Sequence, residues 1–463
     1  MSLSLSRRKT QCGFEIDLLY FFLGCLLAQL MKIKLLLFTV GACFSYLLII
    51  LRSCFSSMDA IANSLQDENG VVVIEVHSNS PQHASTNSNT NTMVEEFSNH
   101  MKLLQKENSN HVDMLLKQLK EYRISDPNFE GLFRPKENLN PMIDALPPET
   151  IDNLHKTAKL MVNAGFEKEF SDLYFSCRRE CLVENLSRLG FKKLSIEDVQ
   201  MLSWKEIEDE IVKWINVCNV ALKILFPRER RLGDRVFFGF SSSVDLSFIN
   251  VCKESTLQLL NFADAIAIGS RSPERLFRVL DMYETMRDLF PMFEFLFRDQ
   301  YNGSLQKEAT TTWKRLGEAI RGIFTELANL ISQDPAKAAA VPGGGLHPIT
   351  RFVMNYLHFA SQSRHTLEQV FEEDYEHPLK EYHKMEDRVH STSSLSVQIR
   401  LIIDRLESNL EAKSKIYEDP ALYYVFLMNN SWYIVEKAQD SELGAILGDD
   451  WIKKHTAKTH NKS

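Results

Sequence analysis

The sequence predicts an all-α protein built from stacked antiparallel helices. From Pro148 onward apolar residues recur at three- and four-residue spacing, and no segment alternates apolar and polar for long enough to make a strand. Helix-start signals punctuate the same stretch. The 463 residues include only 14 prolines and 18 glycines, with 44% apolar and 25% charged, the balance of a helix-rich body long enough for several domains.

The first element is unlike the rest, and residues 1–55 read as a membrane anchor. From Leu35 to Leu51 the run LLLFTVGACFSYLLIIL carries no charge. At about 1.5 Å per residue it covers about 26 Å, slightly under a bilayer core of about 30 Å. Eleven of its residues are Leu, Ile, Val or Phe, among them Phe38, Phe44, Leu47 and Ile50. At about −0.3 to −0.6 kcal/mol each, they favour insertion by roughly 3–7 kcal/mol. Ile33 extends the transmembrane helix over residues 33–51, Lys34 is placed to snorkel, and Arg52 closes it. A second apolar run over residues 18–31 is short for a span, and either lies in the interface or pairs with the first as a hairpin. Arg7, Arg8, Lys9, Lys32 and Lys34 precede the longer span, which by the positive-inside rule puts the body outside the cytosol.

Residues 56–92 are expected to form a flexible, disordered linker, because the polar run ending in HSNSPQHASTNSNTNT cannot bury enough apolar surface. Residues 93–147 read as a helix to Arg123 followed by an irregular connector. Val94, Phe97, Met101, Leu104, Val112, Leu115, Leu116 and Leu119 mark the helix's apolar side. In the connector, Phe129 and Leu132 follow Asp126 three residues apart, the pattern that autophagy ubiquitin-like proteins bind by strand addition.

From 148 to 456 the chain reads as helix throughout. Ser195 with Asp198 makes a capping-box start, and Ile211, Trp214, Ile215, Cys218, Leu222 and Leu225 form one buried stripe. Pro227, Pro273, Pro335, Pro348 and Pro420 sit where helices would begin, and Pro291 would kink or end one. In SPERLFRVLDMYE, Ser272 reads as an N-cap and Pro273 as the first helical residue, with Leu276, Leu280, Tyr283 and Met286 facing inward.

The charge and motif inventory excludes several functions. A formal net charge of −8 gives no global field for nucleic acid. The 8 cysteines include no Cys-x-x-Cys pair, and Cys177 with Cys181 lacks a second ligand pair for zinc, which fits ordinary reduced thiols. His365, His377, His383 and His390 stand at spacings that build no metal site. The VPGGGLHPIT loop lacks the Gly-Lys-Ser/Thr ending of a phosphate cradle and reads as a connection. Glu206 and Glu210 read as outward helix charges. No catalytic, cofactor-binding or metal-ligating residue is assigned. The cluster Arg228, Arg230, Arg231 and Arg235 could contact acidic lipid or a partner, or could tie neighbouring helices together.

A resemblance adds to this reading. SPERLFRVLDMYE from Ser272, LSRLGFKKLSIEDVQMLSWKEIEDEIVKWI from Leu186, LFPRERRLGDRVF from Leu225, LQLLNFADAIAI from Leu257, VPGGGLHPITRFVMNYL from Val341 and the long run from Leu406 to His455 occur in a fixed order. They resemble the seventy-kilodalton subunit of the exocyst, in particular its plant branch. That likeness implies an elongated rod of helical bundles and a non-enzymatic vesicle-tethering subunit acting in exocytosis. The other exocyst subunits would be its partners, with a cytosolic body anchored by its amino-terminal segment to the plasma membrane or the endomembrane system. A membrane-anchored adaptor in autophagy or immune signalling is the alternative. Against typical members two features stand out: the apolar amino-terminal block, and a chain that stops with a 457–463 tail where relatives continue into a lipid-binding bundle, so the carboxyl-terminal bundle is expected to be missing.

Overall fold

A computed structural model describes residues 83–125, 147–240, 244–298, 303–335, 340–372, 393–439 and 441–460, and the described residues contain no strand. The residues expected to form a membrane anchor, Lys34, Leu35, Phe38, Phe44, Leu47, Ile50, Leu51 and Arg52, lie outside them, as do Phe129 and Leu132 of the connector. Among the described residues, no helix is long and apolar enough to cross a membrane.

The first helix, α1, runs from His83 to Ser125. It begins inside the stretch expected to be linker. HASTNSNTNT holds neither proline nor glycine, and once Phe97, Met101 and Leu104 are buried, each preceding residue extends the helix without a new nucleation step. Composition alone therefore places the boundary ten residues too late.

Helices α2 (Pro148–Asn163), α3 (Glu167–Arg188), α4 (Ile196–Met201) and α5 (Trp204–Val220) follow. The capping box at α4 is present: Asp198 N–H donates to Ser195 Oγ at 3.1 Å and Ser195 N–H to Asp198 Oδ2 at 2.9 Å. A break at Leu202 then separates it from the stripe helix, where the Glu206 carboxylate accepts from Ser203 N–H at 2.9 Å and from its hydroxyl at 2.7 Å. The expected stripe is buried in full, from Ile211 to Leu225.

Pro227 stands in the first turn of a helix, as expected, but no break in the chain precedes that helix. α5 passes through a π turn, Ala221–Leu225, directly into α6 (Phe226–Val236), and Phe226 N–H bonds back to the Ala221 carbonyl. The wider turn accommodates a ring that would strike the preceding turn of a regular helix.

Helices α7 (Val244–Ile268), α8 (Leu276–Leu296), α9 (Gly303–Gln333), α10 (Pro348–Ser361), α11 (Arg364–Phe371), α12 (Ser394–Ser414), α13 (Pro420–Ala438), α14 (Glu442–Leu447) and α15 (Asp449–His460) complete the chain. Before α8 the structure differs from expectation: Pro273–Arg275 forms a 3₁₀ turn, and the Ser272 side chain makes no capping bond. α8 runs on through Pro291. Pro348 and Pro420 do open helices, capped by His347 and Asp419. Pro335 opens none. It leaves the end of α9, where Asn409 Nδ2 donates to the Ile331 and Asp334 carbonyls at 3.0 and 2.9 Å, and Lys413 Nζ meets Asp334 Oδ2 at 2.8 Å.

Packing passes from α1 to α2, then through α3, α7, α9, α12 and α13 to α15, each helix touching the next. One continuous apolar core runs through the relay. Its largest members are Trp214, whose Nε1–H donates to the Leu259 carbonyl at 2.8 Å, and Trp313, stacked on Tyr283 at 4.9 Å. Each ring removes roughly 150–250 Å² from water.

Candidate functional site

The basic run on α6 is the strongest candidate in the sequence for a surface contact, and the structure turns most of it inward. Arg228 is 6% exposed. Arg230 donates from Nη1 to the Leu296 carbonyl at 3.1 Å and lies 5.3 Å from the centre of the Phe248 ring. Arg235 pairs with Asp152 of α2 at 3.2 Å. Only Arg231 is exposed among the four. Of the two readings of this run, contact with lipid or a partner and the tying of neighbouring helices, these contacts are of the second kind, because side chains at consecutive helical positions point around the helix and α6 is packed on several sides.

Beside Arg228 lies the most polar point of the core. Arg178 of α3 and Glu229 of α6 are 1% and 5% exposed and form a two-pronged ion pair: Nε donates to Oε2 at 2.9 Å, and Nη2 donates to Oε1. Burial alone would pull the Arg178 guanidinium down, but the Glu229 carboxylate outweighs it and raises it above its ordinary value. The neighbouring Tyr174 hydroxyl is pushed up, by burial first and by Glu229 second. Arg228 has no such partner at Nε and Nη2, and burial holds it below its ordinary value.

The glycine loop forms a second polar centre. Gly343 and Gly344 adopt φ of 63° and 66°, the left-handed region, and a Cβ on Gly344 would stand 3.0 Å from the Phe426 nitrogen and 3.1 Å from the Leu422 oxygen. Glycine is required there so that the loop can lie against α13. Asn430, fully buried on α13, accepts from His347 N–H at 3.0 Å and from Thr350 Oγ at 2.6 Å, and donates to the Phe426 carbonyl at 2.8 Å. Asn429 donates to the Gly344 carbonyl at 2.8 Å, and the Tyr417 hydroxyl to the Val341 carbonyl at 2.8 Å.

His347 Nδ1 accepts from Ile349 N–H at 3.2 Å, capping α10, so this nitrogen carries no proton. Burial first, and the Lys413 ammonium second, hold the imidazole below 6.5, against a smaller opposing pull from Asp334. The unfolded chain therefore takes up the proton first as pH falls. Stability from this group is complete above about pH 6.5 and declines as pH drops below that value. His347→Asn, which caps without titrating, is expected to flatten that part of a Tm-against-pH curve.

Glu210 is 8% exposed rather than outward, with Lys192 at 3.0 Å and Lys213 at 2.9 Å. Burial pushes its carboxyl up, but the two ammoniums outweigh this and hold it below the usual range. His377, His383 and His390 lie outside the described residues, and His365 stands on α11. An apolar cavity of ≈ 40 Å³ lies between α5, α6, α7 and α8, walled by side chains such as Trp214, Phe226, Leu260, Met286 and Phe290. Its one thiol, Cys218, is pushed well up by burial. Such a space offers no acid–base pair.

Sequence reasoning missed the exposed aromatics. Phe352 and Phe359 on α10 are 55% and 54% exposed, and Tyr424 and Trp432 on α13 are 56% and 57% exposed. On α13 the signal was present, since Tyr424 and Trp432 fall opposite the Phe426, Asn430 and Ile434 side that is buried.

Comparison with known proteins follows the same lines. The family profile for the carboxyl-terminal region of Exo70, the exocyst complex subunit, matches residues 212–463. Exocyst complex component EXO70B1 of Arabidopsis thaliana is 63% identical over 325 residues, covering 70% of this chain and 50% of that protein. EXO70B2 of the same plant is 51% identical over 327 residues, covering 70% and 53%. The chain thus spans about half the length of these relatives. The crystal structure of the S. cerevisiae exocyst component Exo70p matches with a TM-score of 0.54 at 15% identity, covering 82% of this chain and 79% of that one, a likeness of fold.

Proposed function

Because the chain belongs to the Exo70 family of exocyst subunits, we propose that it acts as a non-enzymatic subunit of the vesicle-tethering complex in exocytosis. Its partners in this reading are the other exocyst subunits, and its place is the cytosol and the plasma membrane. The match of residues 212–463 to the family's carboxyl-terminal region is the observation that carries the proposal. The internal arrangement supports it, since Arg178, Glu229, Asn409 and Asn430 all hold one helix to another and the exposed helix faces are left for partners.

The uncharged run over residues 35–51 supplies membrane attachment in this reading. Affinity purification of the full chain from a detergent extract is expected to recover the other exocyst subunits, and deletion of residues 1–55 is expected to move the chain from the membrane to the soluble fraction. Recovery of autophagy or receptor components without any exocyst subunit would overturn the tethering role.

A further inference from the structure

Between α7 and α8 the chain makes a tight turn, Gly269 to Ser272, in which two arginines converge without a carboxylate partner. Arg271 Nη1 donates to the Ala267 carbonyl at 2.5 Å and to that of Gly269 at 3.2 Å. Arg275, 5% exposed, donates from Nη1 to the Ser270 carbonyl at 3.0 Å, while its guanidinium lies 5.2 Å from the centre of the Trp204 ring and its Nε has no partner. Glycine makes room for both. A Cβ on Gly269 would stand 2.5 Å from Arg275 Nη1, and one on Gly322 of α9 would stand 2.8 Å from Arg271 Cδ. Burial lowers both guanidinium groups, and the charge of Arg271 lowers Arg275 further. Glu318 acts on Arg271 and Glu274 on Arg275 only as attractions that fail to offset burial.

Ser272 stands between these arginines in sequence, and its carbonyl accepts from Arg275 N–H at 3.1 Å. Its backbone is extended, φ −54° and ψ 133°, as a residue before proline requires, and its hydroxyl makes no capping bond. It is half-buried and opens the 3₁₀ turn that leads into the 21 residues of α8. Pro273 has no N–H, and those of Arg275 and Leu276 already bond to the Ser272 and Pro273 carbonyls, so an anion here would be favoured by the dipole of α8 rather than by free amide groups. The Tyr356 hydroxyl holds the turn from the other side by donating to the Pro273 carbonyl at 3.0 Å.

We propose that Ser272 is a phosphorylation site for a proline-directed protein kinase, and that its phosphate supplies the anion that Arg271 and Arg275 lack. In the transfer, Ser272 Oγ bonds to the γ-phosphorus of ATP, the bond from that phosphorus to the β,γ-bridging oxygen breaks, ADP leaves, and the hydroxyl proton passes to solvent. The product carries a charge of about −1.5 to −2 beside two guanidinium groups at a helix N-terminus. It pins the start of α8 to the end of α7 and, through the contact of Arg271 with Gly322, to α9.

The test is to incubate the full chain in detergent with a proline-directed kinase and Mg-ATP, then to map phosphate by mass spectrometry and measure Tm. Ser80 is the one other serine or threonine followed by proline, so Ser272→Ala isolates the site. Phosphate is expected at Ser272, with Tm raised by about 2 °C or more relative to Ser272→Ala treated in the same way. Arg271→Gln is expected to accept the phosphate and lose most of that rise. The proposal is overturned if a peptide covering residues 266–280 is modified while the folded chain is not, or if the phosphorylated chain melts no higher than the Ser272→Ala chain.

Discussion

Replacing Glu229 by alanine is expected to destabilise the protein by about 3–5 kcal/mol, the range for removing one member of a buried ion pair. Arg178 would keep its charge at 1% exposure with both of its bonds to the carboxylate gone. Arg228, already without partners at Nε and Nη2, would lose the attraction of the adjacent carboxylate and keep the repulsion of Arg178. Two neighbouring cations would then share a dry site. Denaturant unfolding followed by tryptophan fluorescence measures the loss. A control separates charge from packing: Arg178→Met combined with Glu229→Leu removes the pair together and is expected to recover most of the stability. If Glu229→Ala alone cost less than about 1 kcal/mol, within the range of an exposed pair, the buried pair would not be holding α3 to α6.

Asn430→Ala is expected to have the second largest effect, at least about 2 kcal/mol, because two groups lose their acceptor at once and each buried unpaired group costs about 1–3 kcal/mol. Those groups are the His347 N–H and the Thr350 hydroxyl. The loss is local in origin. Hydrogen exchange should rise first in the glycine loop and the start of α10, before α13 itself exchanges. Asn430→Asp is expected to keep the two accepted bonds and lose the donated bonds to the Phe426 and Gly345 carbonyls, so its cost should fall below that of alanine when the carboxylate is screened by its two donors. Equal exchange at the loop in wild type and Asn430→Ala would contradict this account.

The helices were legible because their signals are local. The stripe from Ile211 to Leu225, the capping box at Ser195 and the proline starts at Pro348 and Pro420 depend on residues within two turns of one another. What stayed hidden depends on partners far along the chain. Arg178 and Glu229 are fifty-one positions apart, and Asn430 reaches His347 across eighty-three. No periodicity marks such pairs. The run around Arg228 left two readings open for the same reason, since clustering in sequence says nothing of which side chains of a packed helix face inward. Glu210 looked like a surface charge until the two lysines that enclose it were placed around it. The π turn before Pro227 and the 3₁₀ turn at Pro273 were likewise invisible, because a proline signals that a regular helix must change without saying how.

The serial packing from α1 to α15 has a mechanical consequence. Elements coupled end to end all carry the same tension, so when a pull enters at one end the force at which the assembly yields is that of its weakest joint, however strong the others are. Reinforcing any joint other than the weakest would leave the breaking load unchanged, whereas loosening one that lies in the relay, such as the α9–α12 joint held by Asn409 and Lys413, would lower it as soon as that joint became the weakest.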